Sequence, residues 1–343
     1  MSDFHQSNKV ANEKYRRKLF DHVTKLVCLE NFSDFKATDP QKFYLGFKNC
    51  VAPLINTEIQ RLKKSLTHTS NSHLLLLKIT ALVDTIIQAA FDASIWFHNR
   101  TLQKKLHSKE ISIAIIARGG YGREELYFQS NVDIQIISGK NQTEDTKQII
   151  KHLEYLFVHQ SIFQTSTSAC YTNTGSLEKE LSGGKISALC ALLEGRLVAG
   201  NADIYSEFMN IVKKASVLQK ENLLSYCHEH KSYYEVSNTV FQQEPNVKEE
   251  LNRLYWALAL ARLKYDLKKT NQFEFLDELL KNGLISAPAF KSIQSSLAFL
   301  SKVRLFLHCD QKGSYRDMMS YEVRGEIAQS MGYRVKEFFH KYF

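Results

Sequence analysis

The sequence is short of proline and glycine, with four prolines and fourteen glycines among 343 residues. So few turn-forming residues favour helix over sheet. Six cysteines lie far apart with no C-x-x-C pair, which excludes the usual spacing of a zinc site. Isolated cysteines in a chain of this length are typical of reduced, mostly buried thiols in the cytosol.

From the sequence we expect neither a secretory leader nor a membrane span. Its first twenty residues are polar and have no apolar core. The longest apolar stretch, residues 73–97, contains Lys78, Asp84 and Asp92, so it is better interpreted as a buried amphipathic helix than as a membrane span. We therefore predict a cytoplasmic location and no association with membranes.

The net charge of +9 is spread over separate lysine pairs, such as Lys63-Lys64 and Lys213-Lys214. Diffuse charge of this kind usually marks a solvated surface, with attraction to a nucleotide or to an acidic partner as the alternative. No run of lysines alternates with aromatic residues, so specific binding of nucleic acid has little support.

Hydrophobic periodicity divides the chain into three predicted domains: a helical region at 1–100, a mixed α/β core at 101–215 and a helical domain at 216–343. The first region ends in a long helix at 74–100. The core contains predicted strands near 111–117, 131–137 and 162–170, and predicted helices at 144–157 and 187–198. Gly200 would end the last of these helices, and residues 282–288 predict a helix end followed by a new helix start.

Residues 111–137 carry the strongest functional signal: a strand, a glycine turn and a second strand. The first strand is apolar and predicted to be buried on both faces. Gly119, Gly120 and Gly122 would let backbone amides approach a polyphosphate, and Arg123 would supply charge. The alternative is a tight turn between two core strands.

At the start of the second strand, the chain has Asn131-Val132-Asp133. Two-metal phosphoryl transfer needs carboxylates that share two divalent ions. Mg²⁺ prefers the anionic oxygens of Asp, and an Asn retains an oxygen but loses the charge. We therefore predict Asp133 as a metal ligand and Asn131 as a weaker one.

Taken together, these elements resemble a known family. Residues 119–126, with Ser130, Val132 and Asp133, are similar to the GGYGRGEL…SDID motif of the bacterial PII uridylyltransferases, which modify the nitrogen-signalling protein PII. Further segments are similar to segments of that family, over about residues 75–343: LLEGRLVAG at 192–200, EPNVKE at 244–249, FLSKVRLFLH at 299–308 and the closing run at 337–342.

The resemblance implies an α+β fold, with a nucleotidyltransferase-type mixed sheet between an N-terminal helical region and a C-terminal helical domain. It also implies transfer of a nucleoside monophosphate, UMP by analogy, from a nucleoside triphosphate such as UTP to a protein, with Mg²⁺ as cofactor. The implied roles are catalysis for Asp133 and nucleotide binding for the residues at the glycine turn and in EPNVKE: Gly119, Gly120, Gly122, Arg123, Ser130 and Lys248.

Complete members of the family continue into a metal-dependent hydrolase domain with a His-Asp doublet and into two ACT domains that sense glutamine. This sequence has no His-Asp doublet. We therefore expect this chain to lack both the removal activity and the sensing of glutamine.

Several positions depart from the family pattern. Asn131 replaces the first metal-binding Asp, and Glu124 replaces a glycine of the turn. The GPGGLRD loop that follows EPNIKE in the family is missing after Glu249. No Asp or Glu lies between Glu154 and Glu178, where a third carboxylate would be expected.

Two hypotheses follow from these departures. The chain is a divergent transferase of impaired activity, acting on an unidentified protein, or a pseudoenzyme that serves as a nucleotide- or protein-binding regulatory module. Glu194 and Arg196, two apart on the predicted helix at 187–198, should have separate structural roles. His308 and His340 are expected to be packed or exposed rather than catalytic.

Overall fold

The computed structural model describes residues 2–26, 39–66, 71–159, 163, 167–236, 244–309 and 317–333. The chain divides into two compact units. The first contains Met1–Gln60, Leu77–Leu126 and Ser130–Gln219, and the second contains Arg61–Leu76, Tyr127–Gln129 and Lys220–Phe343. The three domain ranges proposed from the sequence stay a prediction.

Helices dominate the described residues. Up to residue 219 the helices are α1 (Ser2–Leu26), α2 (Pro40–Leu66), α3 (Ser72–Leu102), α4 (Gly119–Gly122), α5 (Glu144–Glu154), α6 (Thr174–Ser182), α7 (Ile186–Leu192) and α8 (Ala202–Leu218). The strands are β1 (Ile113–Ala117), β2 (Val132–Ser138), β3 (Thr167–Asn173) and β4 (Arg196–Gly200). The later helices are α9 (Lys220–Val236), α10 (Val247–Tyr265), α11 (Gln272–Lys281), α12 (Ala287–Leu307) and α13 (Tyr321–Ser330).

The four strands form one mixed sheet in the order β3-β2-β1-β4. β1 is antiparallel to β2 and to β4, whereas β2 and β3 are parallel. Every residue of β1 is buried, as its isoleucine and alanine content predicts. A mixed sheet with helical segments before and after it in the chain confirms the predicted α+β class.

The predicted helix at 187–198 is wrong in its second half. Helix α7 ends at Leu192, and Arg196–Gly200 forms strand β4, which pairs with β1. A Cβ on Gly200 would lie 2.3 Å from the carbonyl oxygen of Ile113, and Gly200 has a φ of +97°. Gly200 therefore ends a strand that lies tightly against β1, instead of capping a helix.

Most other predicted elements are present with shifted ends. The helix predicted at 144–157 is α-helical only as far as Glu154. A π-helical turn follows directly at Tyr155–His159. The strand predicted near 162–170 is β3, which begins at Thr167, and residues 164–166 lie outside the described residues. Ser286 caps α12 by accepting from the Ala289 N–H, which confirms the predicted helix start.

Among the described residues, α3 is the one helix long and apolar enough to cross a membrane, and 83% of its most apolar window is buried inside the protein. The helix carries Asp84, whose carboxylate is buried and hydrogen-bonded to Tyr121. This burial agrees with the expectation of a buried core helix.

Candidate functional site

The site predicted from the sequence lies where β1 ends and β2 begins. Asn131 and Asp133 are two residues apart and therefore project to the same side of the strand. Val132 and Ile134, which alternate with them, are buried. A Cβ placed on Gly119 would lie 3.9 Å from Oδ2 of Asp133, so the structure brings the first glycine and the remaining carboxylate together.

The predicted glycine turn is a four-residue helix, Gly119–Gly122. A Cβ on Gly122 would lie 2.2 Å from the backbone carbonyl oxygen of Glu194, so a side chain at this position would displace the segment that leads into β4. Gly120 has only ordinary contacts, the nearest with Nη2 of Arg123 at 3.7 Å. Close packing thus explains Gly122 without a nucleotide, and its role in binding stays a prediction.

Arg123, predicted to contact phosphate, forms two ion pairs within the protein. Its Nε lies 2.8 Å from Glu125 and its Nη1 lies 2.6 Å from Glu194. The three side chains are 13%, 5% and 1% exposed, in the order Arg123, Glu125, Glu194. We call Arg123, Glu125 and Glu194 the inner cluster. The charge of the Arg123 guanidinium is compensated there by two carboxylates. The role of Arg123 in nucleotide binding stays a prediction.

A second polar network surrounds Asp84 of α3. Its carboxylate accepts hydrogen bonds from the Tyr121 hydroxyl at 2.8 Å and from Arg196 at 2.9 and 3.0 Å, and it lies 3.0 Å from Arg16 of α1. Burial and the charge of Asp84 raise the pKa of Tyr121 well above its usual value. Burial alone would lower the pKa of Arg196, but Asp84 raises it overall. Arg196 and Glu194 therefore have different ion-pair partners, in agreement with the prediction of separate roles.

Glu124, which replaces a glycine of the family motif, has a left-handed backbone with φ of +61°. Such a conformation is costly for a residue with a Cβ. Its carboxylate lies 2.8 Å from Nη2 of Arg16. Helix α1 is thus tied to the glycine turn, a contact that no motif in the first hundred residues had indicated.

Strand β3 supplies no carboxylate beside Asp133. The parallel register places Ser168 next to Asp133 and Cys170 next to Gln135. We define the Asp133 face as the positions that share this side of the sheet: Arg118, Asn131, Asp133, Gln135, Ser168 and Cys170. One carboxylate on this face agrees with the sequence-based expectation that a third is missing.

Magnesium can be tested against these donors. They are one carboxylate, the amides of Asn131 and Gln135, a hydroxyl and a thiol, whereas a two-metal site needs several shared carboxylates. Within the described part of the chain, no group of three His, Cys, Asp or Glu residues is arranged to hold a metal ion. The residues of the Asp133 face therefore do not fit the predicted two-metal centre.

Sequence reasoning overlooked Arg118, which immediately precedes Gly119. Its guanidinium donates to Oε1 of Gln135 at 3.3 Å and to Sγ of Cys170 at 3.4 Å. The available signal was a lone charge at the end of an otherwise apolar strand. Arg118 adds a positive charge to the Asp133 face.

In the second unit, the EPNVKE segment starts helix α10. Asn246 caps this helix by accepting from the backbone N–H groups of Lys248 and Glu249, and it also pairs with Met318 in an isolated bridge. Lys248 is exposed in the first helical turn. It belongs to a different unit from the glycine turn, and its predicted contact with phosphate stays a prediction.

His308, also in the second unit, is buried and hydrogen-bonded. Its Nδ1 accepts from the Gln129 N–H at 3.1 Å, and its Nε2 lies 3.0 Å from Asp317. Burial alone would raise the pKa of Asp317, but hydrogen bonds from His308 and Arg304 and their charges lower it well below the usual range. His308 is a packed residue, as expected; His340 and residues 337–342 lie outside the described residues.

Comparisons with known proteins identify the relatives of this chain. The family model described as GlnD PII-uridylyltransferase matches residues 223–343. The bifunctional uridylyltransferase/uridylyl-removing enzyme of Haemophilus influenzae strain 86-028NP is 28% identical over 238 residues, which are 66% of this chain and 26% of that protein. The chain is therefore similar to PII uridylyltransferases. The resemblance inferred from the sequence is thereby confirmed.

Two other relatives of the same description extend this result. The protein from Pasteurella multocida strain Pm70 is 27% identical over 64% of this chain and 25% of its own length. The protein from Novosphingobium aromaticivorans is 26% identical over 74% of this chain and 27% of its own length. The chain thus spans about a quarter of the length of the uridylyltransferases that it matches, and the family model lies outside the glycine turn.

Proposed function

We propose that this chain is a uridylyltransferase-like module that binds a nucleoside triphosphate, UTP by analogy, and has lost the transfer of a nucleotidyl group. The observation that carries this proposal is the Asp133 face, where Asn131 and Ser168 occupy positions beside the single carboxylate. In-line phosphoryl transfer with two ions depends on carboxylates that this face lacks. The proposed cytoplasmic location of the chain rests on its isolated cysteines, which are typical of reduced cytosolic thiols, and its protein partner is proposed by analogy with the family.

A transfer assay tests the loss of chemistry. The purified chain is incubated with α-labelled UTP or ATP, with Mg²⁺ or Mn²⁺, and with a purified PII protein as candidate acceptor. We expect no incorporation of label above that of an Asp133→Ala variant. Incorporation that depends on Asp133 would contradict the proposal and identify an active transferase.

A repair variant makes this test sharper. Asn131→Asp together with Ser168→Asp places three carboxylates close together, one immediately before β2, one on β2 and one on β3, because Ser168 lies beside Asp133 in the register. We expect this double variant to bind Mg²⁺ more tightly than the native chain, measured by calorimetry. The matched control is Asn131→Ala with Ser168→Ala, and equal affinity in the two double variants would show that the face cannot form a metal site at all.

Nucleotide binding is tested separately, by calorimetric titration of the native chain with UTP and ATP. Heat of binding that is lost in Gly119→Val supports a retained nucleotide pocket, since the added side chain would lie beside Asp133 and strain the turn at a residue with φ of +54°. Absence of binding to either nucleotide would overturn the nucleotide-binding part of the proposal.

One observation favours residual transfer as a second candidate. The carboxylate of Asp133 still lies over Gly119, so the glycine turn and one metal ligand have kept a common location. A single Mg²⁺ held by one carboxylate and by substrate phosphates is a known arrangement in phosphoryl-transfer enzymes. Slow incorporation of label, abolished by Asp133→Ala, would support this second function.

A further inference from the structure

Arg118 lies directly opposite Asp133 across the pair of strands β1 and β2. The register pairs Ala117 with Ile134, and the next residue, Arg118, donates its backbone N–H to the carbonyl oxygen of Asp133 at 3.0 Å. Opposite residues of an antiparallel pair project to the same side of the sheet. Arg118 therefore belongs to the side that carries the remaining carboxylate.

The guanidinium of Arg118 is held by uncharged groups. It donates to the amide oxygen of Gln135 and to the thiol of Cys170, which are themselves neighbours in the register. The amide nitrogen of Gln135 in turn donates to the backbone carbonyl of Cys170 at 3.2 Å. The Nε of Arg118 is buried and has no hydrogen-bond partner among the described residues. A buried donor of this kind is normally satisfied by a water molecule or a ligand.

The two arginines beside the glycine turn thus differ in their electrostatic environment. Arg123 lies between two buried carboxylates, Glu125 and Glu194. Arg118 contacts an amide and a thiol, neither of which compensates its charge. Of the two, Arg118 is the better placed to attract an anion.

The net charge of the Asp133 face also changes how an anion would bind there. A face with several carboxylates repels a triphosphate until divalent ions neutralise it. Among the residues that define this face, the charges of one carboxylate, Asp133, and one guanidinium, Arg118, sum to zero. A guanidinium can also donate two parallel hydrogen bonds to a phosphate, without any metal.

We infer that Arg118 takes the place of a divalent ion on the Asp133 face, so that this face binds the phosphate groups of a nucleoside triphosphate without a metal. The inference rests on the proposed nucleotide-binding function and specifies the group that recognises the ligand. No covalent step is involved: Arg118 supplies a fixed charge and hydrogen bonds.

Calorimetric titrations of the full chain with UTP, in excess EDTA and in excess Mg²⁺, test the inference. We expect binding in EDTA at least as tight as in Mg²⁺, and weakening by about tenfold or more in Arg118→Gln, which loses a charge-assisted contact. Arg118→Lys should lose less because it keeps the charge. Binding that requires Mg²⁺, or equal affinity in Arg118→Gln and the native chain, would overturn the inference.

Controls keep the outcomes separate. Lys185→Gln removes an exposed cation from the same unit and should bind like the native chain. Circular dichroism and thermal unfolding verify that each variant is folded. Inorganic pyrophosphate in place of UTP shows whether phosphate alone is recognised; we expect it to compete with UTP for binding, and failure to compete would contradict the assignment of Arg118 to phosphate.

A chemical readout at the site supports the result even if Arg118→Gln folds poorly. Cys170 is exposed and lies against Arg118. We expect UTP in EDTA to slow alkylation of Cys170 by iodoacetamide, followed by peptide mapping, while the partly buried Cys50 serves as reference. Equal alkylation with and without UTP would contradict the inference. If the native chain binds no nucleotide under any condition, the proposed function itself fails, whereas binding that requires Mg²⁺ overturns only the role of Arg118.

Discussion

Two clusters of polar residues lie beside the same glycine turn, and they differ in how far their charges are paired. The inner cluster of Arg123, Glu125 and Glu194 is almost fully buried and its charges are paired. The Asp133 face has one carboxylate, and Asn131, Ser168 and Cys170 on it are exposed. The inner cluster therefore retains the paired charges that support the fold. The Asp133 face, in contrast, lacks the carboxylates that two-metal chemistry needs.

Removing the arginine of the inner cluster should have the largest effect on stability. Arg123→Ala leaves Glu125 and Glu194 buried without their shared cation, and loss of one partner from a buried ion pair costs about 3–5 kcal/mol. Urea unfolding followed by circular dichroism measures the loss. Arg118→Ala, which breaks contacts only with uncharged groups, should cost about 1 kcal/mol. Similar losses for the two variants would refute the difference between the two groups.

The glycines of the turn provide the next comparison. The methyl group of Gly122→Ala would lie 2.2 Å from the carbonyl oxygen of Glu194. We therefore expect the free energy of unfolding to fall by an amount at the upper end of the range of about 1–3 kcal/mol that is typical of overpacking. Gly120→Ala adds a methyl group at ordinary contact distance within a helical turn, where Ala is favoured over Gly by up to about 1 kcal/mol, so it should be neutral or slightly stabilising. Both values come from the same unfolding experiment. Equal costs would show that the backbone near Glu194 yields easily.

A pH series tests the contribution to stability of His152, a residue of the first unit outside the Asp133 face. Burial, with a smaller effect from His98, lowers the pKa of His152 to about 4 from 6.5. Between these values the unfolded chain binds more protons than the folded one, so stability falls as pH decreases from about 6.5 to about 4. We expect a loss of about 2 kcal/mol, discounted for partial exposure to solvent.

Unfolding midpoints at pH 7, 5.5 and 4.5 measure this loss. His152→Gln should remove most of the dependence, while the exposed His22→Gln and Asn131→Ala should preserve it. A pH dependence that persists in His152→Gln would assign the loss to another group.

The smallest effect is expected at Glu124. Glu124→Gly removes a left-handed residue with a Cβ, which gains about 1 kcal/mol, and also removes the partly exposed ion pair with Arg16, which costs a similar amount or less. The net change should be below about 1 kcal/mol. Glu124→Ala keeps the strained backbone and loses the ion pair, so it should be less stable than Glu124→Gly; the reverse order would contradict the account of this turn.

Local patterns in the sequence predicted part of this arrangement. The apolar run that forms β1 and the spacing of Gly119, Gly120 and Gly122 placed the turn at the right residues, because burial and glycine content are local properties. Ser286 and the following proline marked the start of α12 for the same reason.

Non-local pairing explains the parts that were missed. The residues of β4 were predicted as helical because their apolar character fits either structure, and only pairing with β1 selects the strand. One of the two ion-pair partners of Arg123, Glu194, is 71 residues away in the chain. The neighbour of Asp133 on β3 became known only from the register of two parallel strands.

The sequence by itself determined which chemical groups are present: Asn131 in place of a metal-binding Asp, a single nearby carboxylate at Asp133, and no acidic residue on the strand that follows. The tertiary structure alone decided which arginine is engaged by carboxylates and which contacts uncharged groups. The physical reason is that a side chain's charge belongs to the residue, whereas its compensation depends on partners brought together by folding.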